Sequence, residues 1–175
     1  LAESYRAEGI AYYSEKAYPE AIAAFSRSLN NMDDPDKEFK KDVQFYLAQA
    51  RMDYGEVDKA IEVYSEILKA GEDEQAFFLR GKAYISMEDY KNAEKDFQRA
   101  LEGCEDYNLY INIYQIYVDH NKAVDGDAYL KMALELEPQD GEDCYHRGRI
   151  YEYEKNYEAA RDELKTAMEQ GYEDA

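Results

Sequence analysis

At 175 residues the chain has the length of one ordinary domain with a sizeable core. Its Asp and Glu number 40 against 21 Lys and Arg, a formal charge of −19, and this excludes the basic stripe that nucleic-acid phosphates and anionic membrane surfaces demand. Three prolines, nine glycines and 45% hydrophobic residues favour helix over strand.

The acidity implies solubility and repulsion between copies, with a preference for basic partners as its sharper consequence. Tyrosine, at 19 copies against six Phe and no Trp, supplies most of the aromatic bulk. Its ring packs while its hydroxyl stays in reach of water, which suits helices buried on one side. Cys104 and Cys144 lack metal-ligand spacing and make no disulfide framework, so a reducing, cytoplasmic compartment fits. No run of about 18 apolar residues is present to insert in a membrane.

Taken from the N-terminus, Gly9, Tyr12, Ala21 and Phe25 open a pattern with offsets of 0, 3, 12 and 16 residues. Ala48, Ala60 and Tyr64 repeat it, with Arg51 at the aromatic place. Gly81, Tyr84, Ala93, Phe97 and Ala100 give a full copy and extend the offsets to 19. In the fourth copy Tyr114 stands where the first helix wants a small residue, and Gly126 is the small residue of the second, so the sizes are exchanged and volume is roughly kept. Gly148, Tyr151, Ala160, Leu164 and Ala167 make the fifth. Residues three and four apart share a helical face, so each copy reads as two packed helices whose small residues let the axes approach.

The predicted helices lie at 3–15, 18–30, 36–54, 57–70, 74–87, 90–102, 107–120, 124–137, 141–154 and 157–170, with no strands. Pro19 fits the first turn of the second. Asp34 and Pro35 read as cap and first turn of the third, which takes up much of the inserted NNMDDPDKEFKK. Asp89 and Asn156 are expected to cap later helices. The last helix offers Ala160, Leu164, Ala167 and Met168 rather than a polar cap, and GYED reads as the opening of another helix. The natural protein is therefore expected to continue past Ala175, and the exposed last helix gives a route to a homo-oligomer.

Anchors at Gly9, Ala48, Gly81, Tyr114 and Gly148 are 39, 33, 33 and 34 residues apart. A period near 34 built from helix pairs resembles the tetratricopeptide repeat family. The resemblance rests on Gly81, Tyr84, Ala93, Phe97 and Ala100, their counterparts, and Pro138 at the close of the fourth copy, and it covers residues 2–171. It implies a single all-α domain over 1–175, a right-handed superhelical solenoid of antiparallel helix hairpins. Its repeats fall at about 2–35, 41–73, 74–106, 107–140 and 141–173, with an insertion near 30–40.

The same resemblance implies a non-catalytic module that takes a peptide or protein segment on the concave side, where first helices line the wall. The wall is then Arg6, Ile10 and Tyr13; Phe45, Tyr46, Gln49 and Met52; Phe78, Leu79, Lys82 and Ile85; Ile111, Asn112, Gln115 and Val118; and Tyr145, His146, Arg149, Glu152 and Tyr153. Phe45, Gln49, Phe78, Lys82, Ile85, Gln115, Tyr145 and Arg149 are the expected peptide-binding residues. An apolar stripe broken by one amide or cation per helix suits a segment with hydrophobic anchors and a few polar groups.

Wall cations Arg6, Lys82 and Arg149 are matched by Asp42, Asp53, Asp119 and Glu152, so the ligand's charge is left open. One subset of the family grips a C-terminal carboxylate with lysine, asparagine and arginine side chains. The corresponding places here hold Arg6, Ile10, Tyr46, Gln75 and Leu79, which disfavours chaperone tails. The alternative to groove binding is a structural or self-association segment of a larger protein.

Enzyme chemistry finds little support. His120 and His146 lack a paired ligand at helical spacing and read as surface residues. No glycine-rich phosphate loop occurs. DHNKAVDGD resembles a calcium loop only at Gly126, since Ala123 and Met132 fall where oxygen ligands are needed. Cys144 reads as a packing residue, and no cofactor is expected.

Overall fold

The computed structural model describes residues 1–32 and 36–173. Among these are ten helices and no strand: α1 (Ala2–Ser14), α2 (Tyr18–Asn30), α3 (Lys37–Tyr54), α4 (Val57–Ala70), α5 (Glu74–Ser86), α6 (Tyr90–Ala100), α7 (Tyr107–Asp119), α8 (Ala123–Leu134), α9 (Gly141–Tyr153) and α10 (Tyr157–Glu169). All ten expected helices are present. The eighth stops short of residue 137, because the chain bends toward Pro138, which disfavours helix in the residue before it.

Local chemistry sets where the helices begin. The carboxylate of Asp73 accepts from Ala76 N at 2.9 Å, that of Asp106 from Asn108 N at 2.8 Å and that of Asp140 from Asp143 N at 3.0 Å. Asp89 and Asn156 also cap, accepting from Asn92 N at 3.2 Å and Ala159 N at 3.4 Å. Each such cap stabilises its helix by about 1 kcal/mol. The insertion does lengthen α3, which runs 18 residues from Lys37. Its N-cap is Asp36, bound to Glu38 N at 3.1 Å, while Asp34 and Pro35 lie outside the described residues.

Every hairpin turns by the same device. Seven residues beyond each anchor stand Lys16, Gly55, Glu88, Asn121 and Lys155, all with positive φ between 59° and 90°. In each turn the N–H of the following residue reaches five residues back, as Ala17 to Tyr12 O at 2.9 Å and Asn156 to Tyr151 O at 2.8 Å. Glu56, Asp89 and Lys122 do the same to Arg51, Tyr84 and Tyr117. This left-handed C-terminal cap satisfies carbonyls that the ending helix leaves free.

The chain forms two compact units, Leu1–Ala100 and Leu101–Ala175. In the first, α1 to α6 pack each on the next around Phe25, Val43, Leu47, Tyr64, Ile67, Ile85 and Phe97. A Cβ added to Gly9 would lie 2.5 Å from Cε1 of Phe25, and one added to Gly81 2.7 Å from Cε1 of Phe97. The repeat offset of 16 is thus the contact between a missing side chain and the ring that fills its place.

In the second unit Tyr107, Ile113, Leu130 and Ile150 lie in the core, and Leu164 fills the place beside Gly148. A Cβ on Gly126 would come within 3.1 Å of the Tyr114 ring, so the exchanged sizes of the fourth copy do face one another.

Two ion pairs, one with a buried aspartate and one half-buried, occupy one repeat position, one residue before the anchor and fifteen beyond it. Arg80 holds Asp96 through Nε and Nη2, each at 2.7 Å, and donates from Nη1 to Ser65 Oγ at 3.0 Å. In the fifth copy Arg147 Nη2 lies 3.3 Å from Glu163 Oε1. The second and fourth copies put Leu47 with Val63 and Ile113 with Tyr129 at those places, apolar and buried.

Candidate protein-binding surface

In the first unit α1 and α3 run side by side in parallel, joined at two levels. Arg6 Nε donates to Asp42 Oδ2 at 2.5 Å, with its guanidinium 5.3 Å from the Tyr46 ring centre. Further along, the Tyr13 hydroxyl donates to Asp53, which also accepts from Gln49 Nε2 at 3.1 Å. Burial, aided by the Asp53 bond, pushes the Tyr13 phenol up to about 12. Gln49 is therefore engaged by its own helix.

Phe45 and Phe78 are half-buried, their rings 6.3 Å from Tyr64 and 6.1 Å from Phe97. Each anchors in the core and leaves part of its ring on the surface. Lys82 is exposed and makes no ion pair among the described residues. Ile85 departs from expectation: at 0% exposure it belongs to the core and cannot line a wall. It sits one turn beyond Gly81 on the buried face, where an isoleucine contributes about 1.5–3 kcal/mol by leaving water.

In the second unit α7 and α9 are parallel neighbours. Asn108 Nδ2 lies 2.9 Å from His146 Nε2, and Tyr114 and Tyr153 place their ring centres 5.1 Å apart. Gln115 donates to Asp119 at 2.9 Å on its own helix. Tyr145, half-buried, meets Tyr172 at 5.0 Å between ring centres. Arg149 lies 6.0 Å from the Tyr145 ring centre and 3.4 Å from the Tyr153 hydroxyl.

Other expectations change in the second unit. His146 is 6% exposed and not a surface residue, because the α7 face covers it. Ile111 is buried, so it packs rather than binds. His120 is exposed, with Nδ1 2.8 Å from Ile116 O. Cys144 is buried, and burial pushes its thiol up.

The wall's charges do not cancel as the composition of its stripe implies. Asp42 serves Arg6, Asp53 serves Tyr13 and Gln49, and Asp119 serves Gln115. Lys82 and Arg149 form no carboxylate pair among the described residues. Sequence reasoning placed Tyr145 and Tyr153 beside Arg149 but missed the Arg80–Asp96 pair and the ring contacts that Tyr172 and Tyr114 add. Opposite charges sixteen residues apart, recurring at Arg147 and Glu163, were the available signal for the first. Among the described residues no group of three or more His, Cys, Asp and Glu is placed to hold a metal, and no helix is long and apolar enough to cross a membrane.

A family model for the tetratricopeptide repeat matches residues 74–106 and 144–170, the third and fifth hairpins. No curated protein matches the chain by sequence. Solved structures do match in fold. MamA 41-end from Desulfovibrio magneticus RS-1 is 16% identical with a TM-score of 0.61, over 97% of this chain and 94% of that one. BtubC (BKLC) from P. vanneervenii is 18% identical at 0.61, over 97% and 79%. A tetratricopeptide repeat protein from Parabacteroides merdae ATCC 43184 is 19% identical at 0.54, over 98% and 79%. The family model thus identifies the third and fifth hairpins as tetratricopeptide repeats, and the other hairpins share their helix-pair arrangement.

Proposed function

We propose that this chain is a non-catalytic protein-binding module that takes a peptide or protein segment on the first-helix surface of each unit. The carrying observation is that Phe45, Phe78, Lys82, Tyr145 and Arg149 stay at least partly exposed on these helices, with two cations that no carboxylate neutralises among the described residues. Half-buried aromatic rings are rigid anchors that give up little rotational freedom on binding, and the cations add direction. Ile85 is no longer part of this surface, and Gln49 and Gln115 are each tied to an aspartate of their own helix.

The test is retention from source-cell lysate on immobilised chain, comparing wild type with Phe78→Ala/Lys82→Glu. Proteins held by wild type should be lost from the variant while its helical circular dichroism stays the same. Equal retention by both overturns the reading.

A second reading, self-association through α10, draws on Tyr157 and Met168, which are 68% and 61% exposed. Their counterparts Tyr18 and Leu29, Val57 and Leu68, and Ala123 and Leu134 are all at least half-buried. Sedimentation that rises with concentration and stops doing so in Tyr157→Ser/Met168→Ser supports it. A monomer at every concentration removes it.

A further inference from the structure

Resting on the groove reading, we propose that Arg149 is the anion-reading residue of the second unit's wall and selects an extended segment carrying a carboxylate flanked by proline. Tyr145, Arg149 and Tyr153 are spaced four apart on α9 and so form one stripe along its surface. The guanidinium is held between the Tyr145 ring, 6.0 Å away, and the Tyr153 hydroxyl at 3.4 Å. Two tilted ring pairs flank it, Tyr145 with Tyr172 and Tyr114 with Tyr153.

The other arginines of the first helices are engaged elsewhere. Arg6, Arg80 and Arg147 hold Asp42, Asp96 and Glu163, and Arg51 donates to the Lys59 carbonyl at 3.1 Å. Arg149 alone among these five rests only on phenols within the described residues. Glu152, one turn further along α9, does not close on it. In a chain with 40 acidic residues, a wall arginine without a carboxylate is the exception, and its planar fork is built to receive one in two hydrogen bonds.

The rings on either side define what accompanies that carboxylate. Tilted pairs present faces and edges to a ligand rather than a closed stack, and proline rings in an extended segment pack on such surfaces. The segment is already stiff, so little conformational entropy opposes docking.

The test uses fluorescence anisotropy with the full chain and two labelled peptides that differ only at the centre, Pro-Glu-Pro against Pro-Lys-Pro. The net charge of −19 favours the lysine peptide at long range, so a preference for glutamate can come only from a local cation. The glutamate peptide should bind about ten-fold tighter, and Arg149→Ala should erase that difference with helical circular dichroism intact. If Arg149→Ala fails to fold, Arg149→Lys, which keeps charge but loses the fork, should narrow the preference.

Equal binding of the two peptides, preference for lysine, no binding of either at about 1 mM, or a preference that survives Arg149→Ala overturns the proposal. Each outcome is separable from the broader reading. Lysate proteins lost through Phe78→Ala/Lys82→Glu show a working wall whatever the peptides do.

Discussion

Arg80 grips Asp96 with two hydrogen bonds of 2.7 Å, and the aspartate is only 4% exposed. Removing one partner leaves a buried charge. Asp96→Ala should cost about 3–5 kcal/mol, read by urea unfolding. Replacing both, as Arg80→Leu/Asp96→Val, copies the apolar Leu47 and Val63 of the second hairpin and should recover most of that loss. A double variant as unstable as the single would show that the pair itself, and not its desolvated remainder, supports the third hairpin.

Gly81 lies on the buried face of α5, where a Cβ would come 2.7 Å from the Phe97 ring. Alanine favours helix over glycine by about 1 kcal/mol, while overpacking costs about 1–3 kcal/mol. Gly81→Ala should therefore lower stability on balance. A raised melting temperature would mean that the ring shifts aside freely.

The left-handed turn position is glycine only at Gly55. Elsewhere an ordinary side chain bears a strain of about 1–2 kcal/mol that glycine avoids, against about 0.5–1 kcal/mol of extra chain entropy. Glu88→Gly and Lys155→Gly should each stabilise by about 0.5 kcal/mol, and Gly55→Ala should destabilise. Thermal unfolding of the three variants checks both signs.

Burial pushes the phenols of Tyr13 and Tyr107 from 10.0 up to about 12, and that of Tyr64 higher still. In this window the folded chain keeps protons that the unfolded chain has lost. Their contribution is whole below pH 10 and falls as pH rises toward 12. Urea midpoints should be flat from pH 8 to about 9.5 and decline above it. Tyr13→Phe, which cannot ionise, should soften the decline.

Cys144 is buried with its thiol pushed up, whereas Cys104 is partly exposed. Iodoacetamide at neutral pH should label Cys144 only after unfolding, as peptide mass analysis would show. Prompt labelling of Cys144 in the folded chain would place it outside the core.

The hairpins were legible because the contacts that build them are local in sequence. A glycine and the ring sixteen residues on, an aspartate and the amide three residues on, are short-range pairs, so spacing alone exposes them. The third helix absorbed its insertion for the same reason, since Asp36 offers a cap beside a helix-forming run. The wall was less legible. Ile85 and Phe78 look alike in an apolar pattern, yet the first is wholly enclosed and the second half so.

Amino-acid order determined the period, the helix ends and the packing faces of this protein. The tertiary structure decided which charges pair and which stay unpaired. Asp42 is 36 residues from Arg6 and Asp53 is 40 from Tyr13, distances at which sequence carries no register. Only the packing of parallel first helices brings those partners together, and the same packing leaves Lys82 and Arg149 without a carboxylate among the described residues.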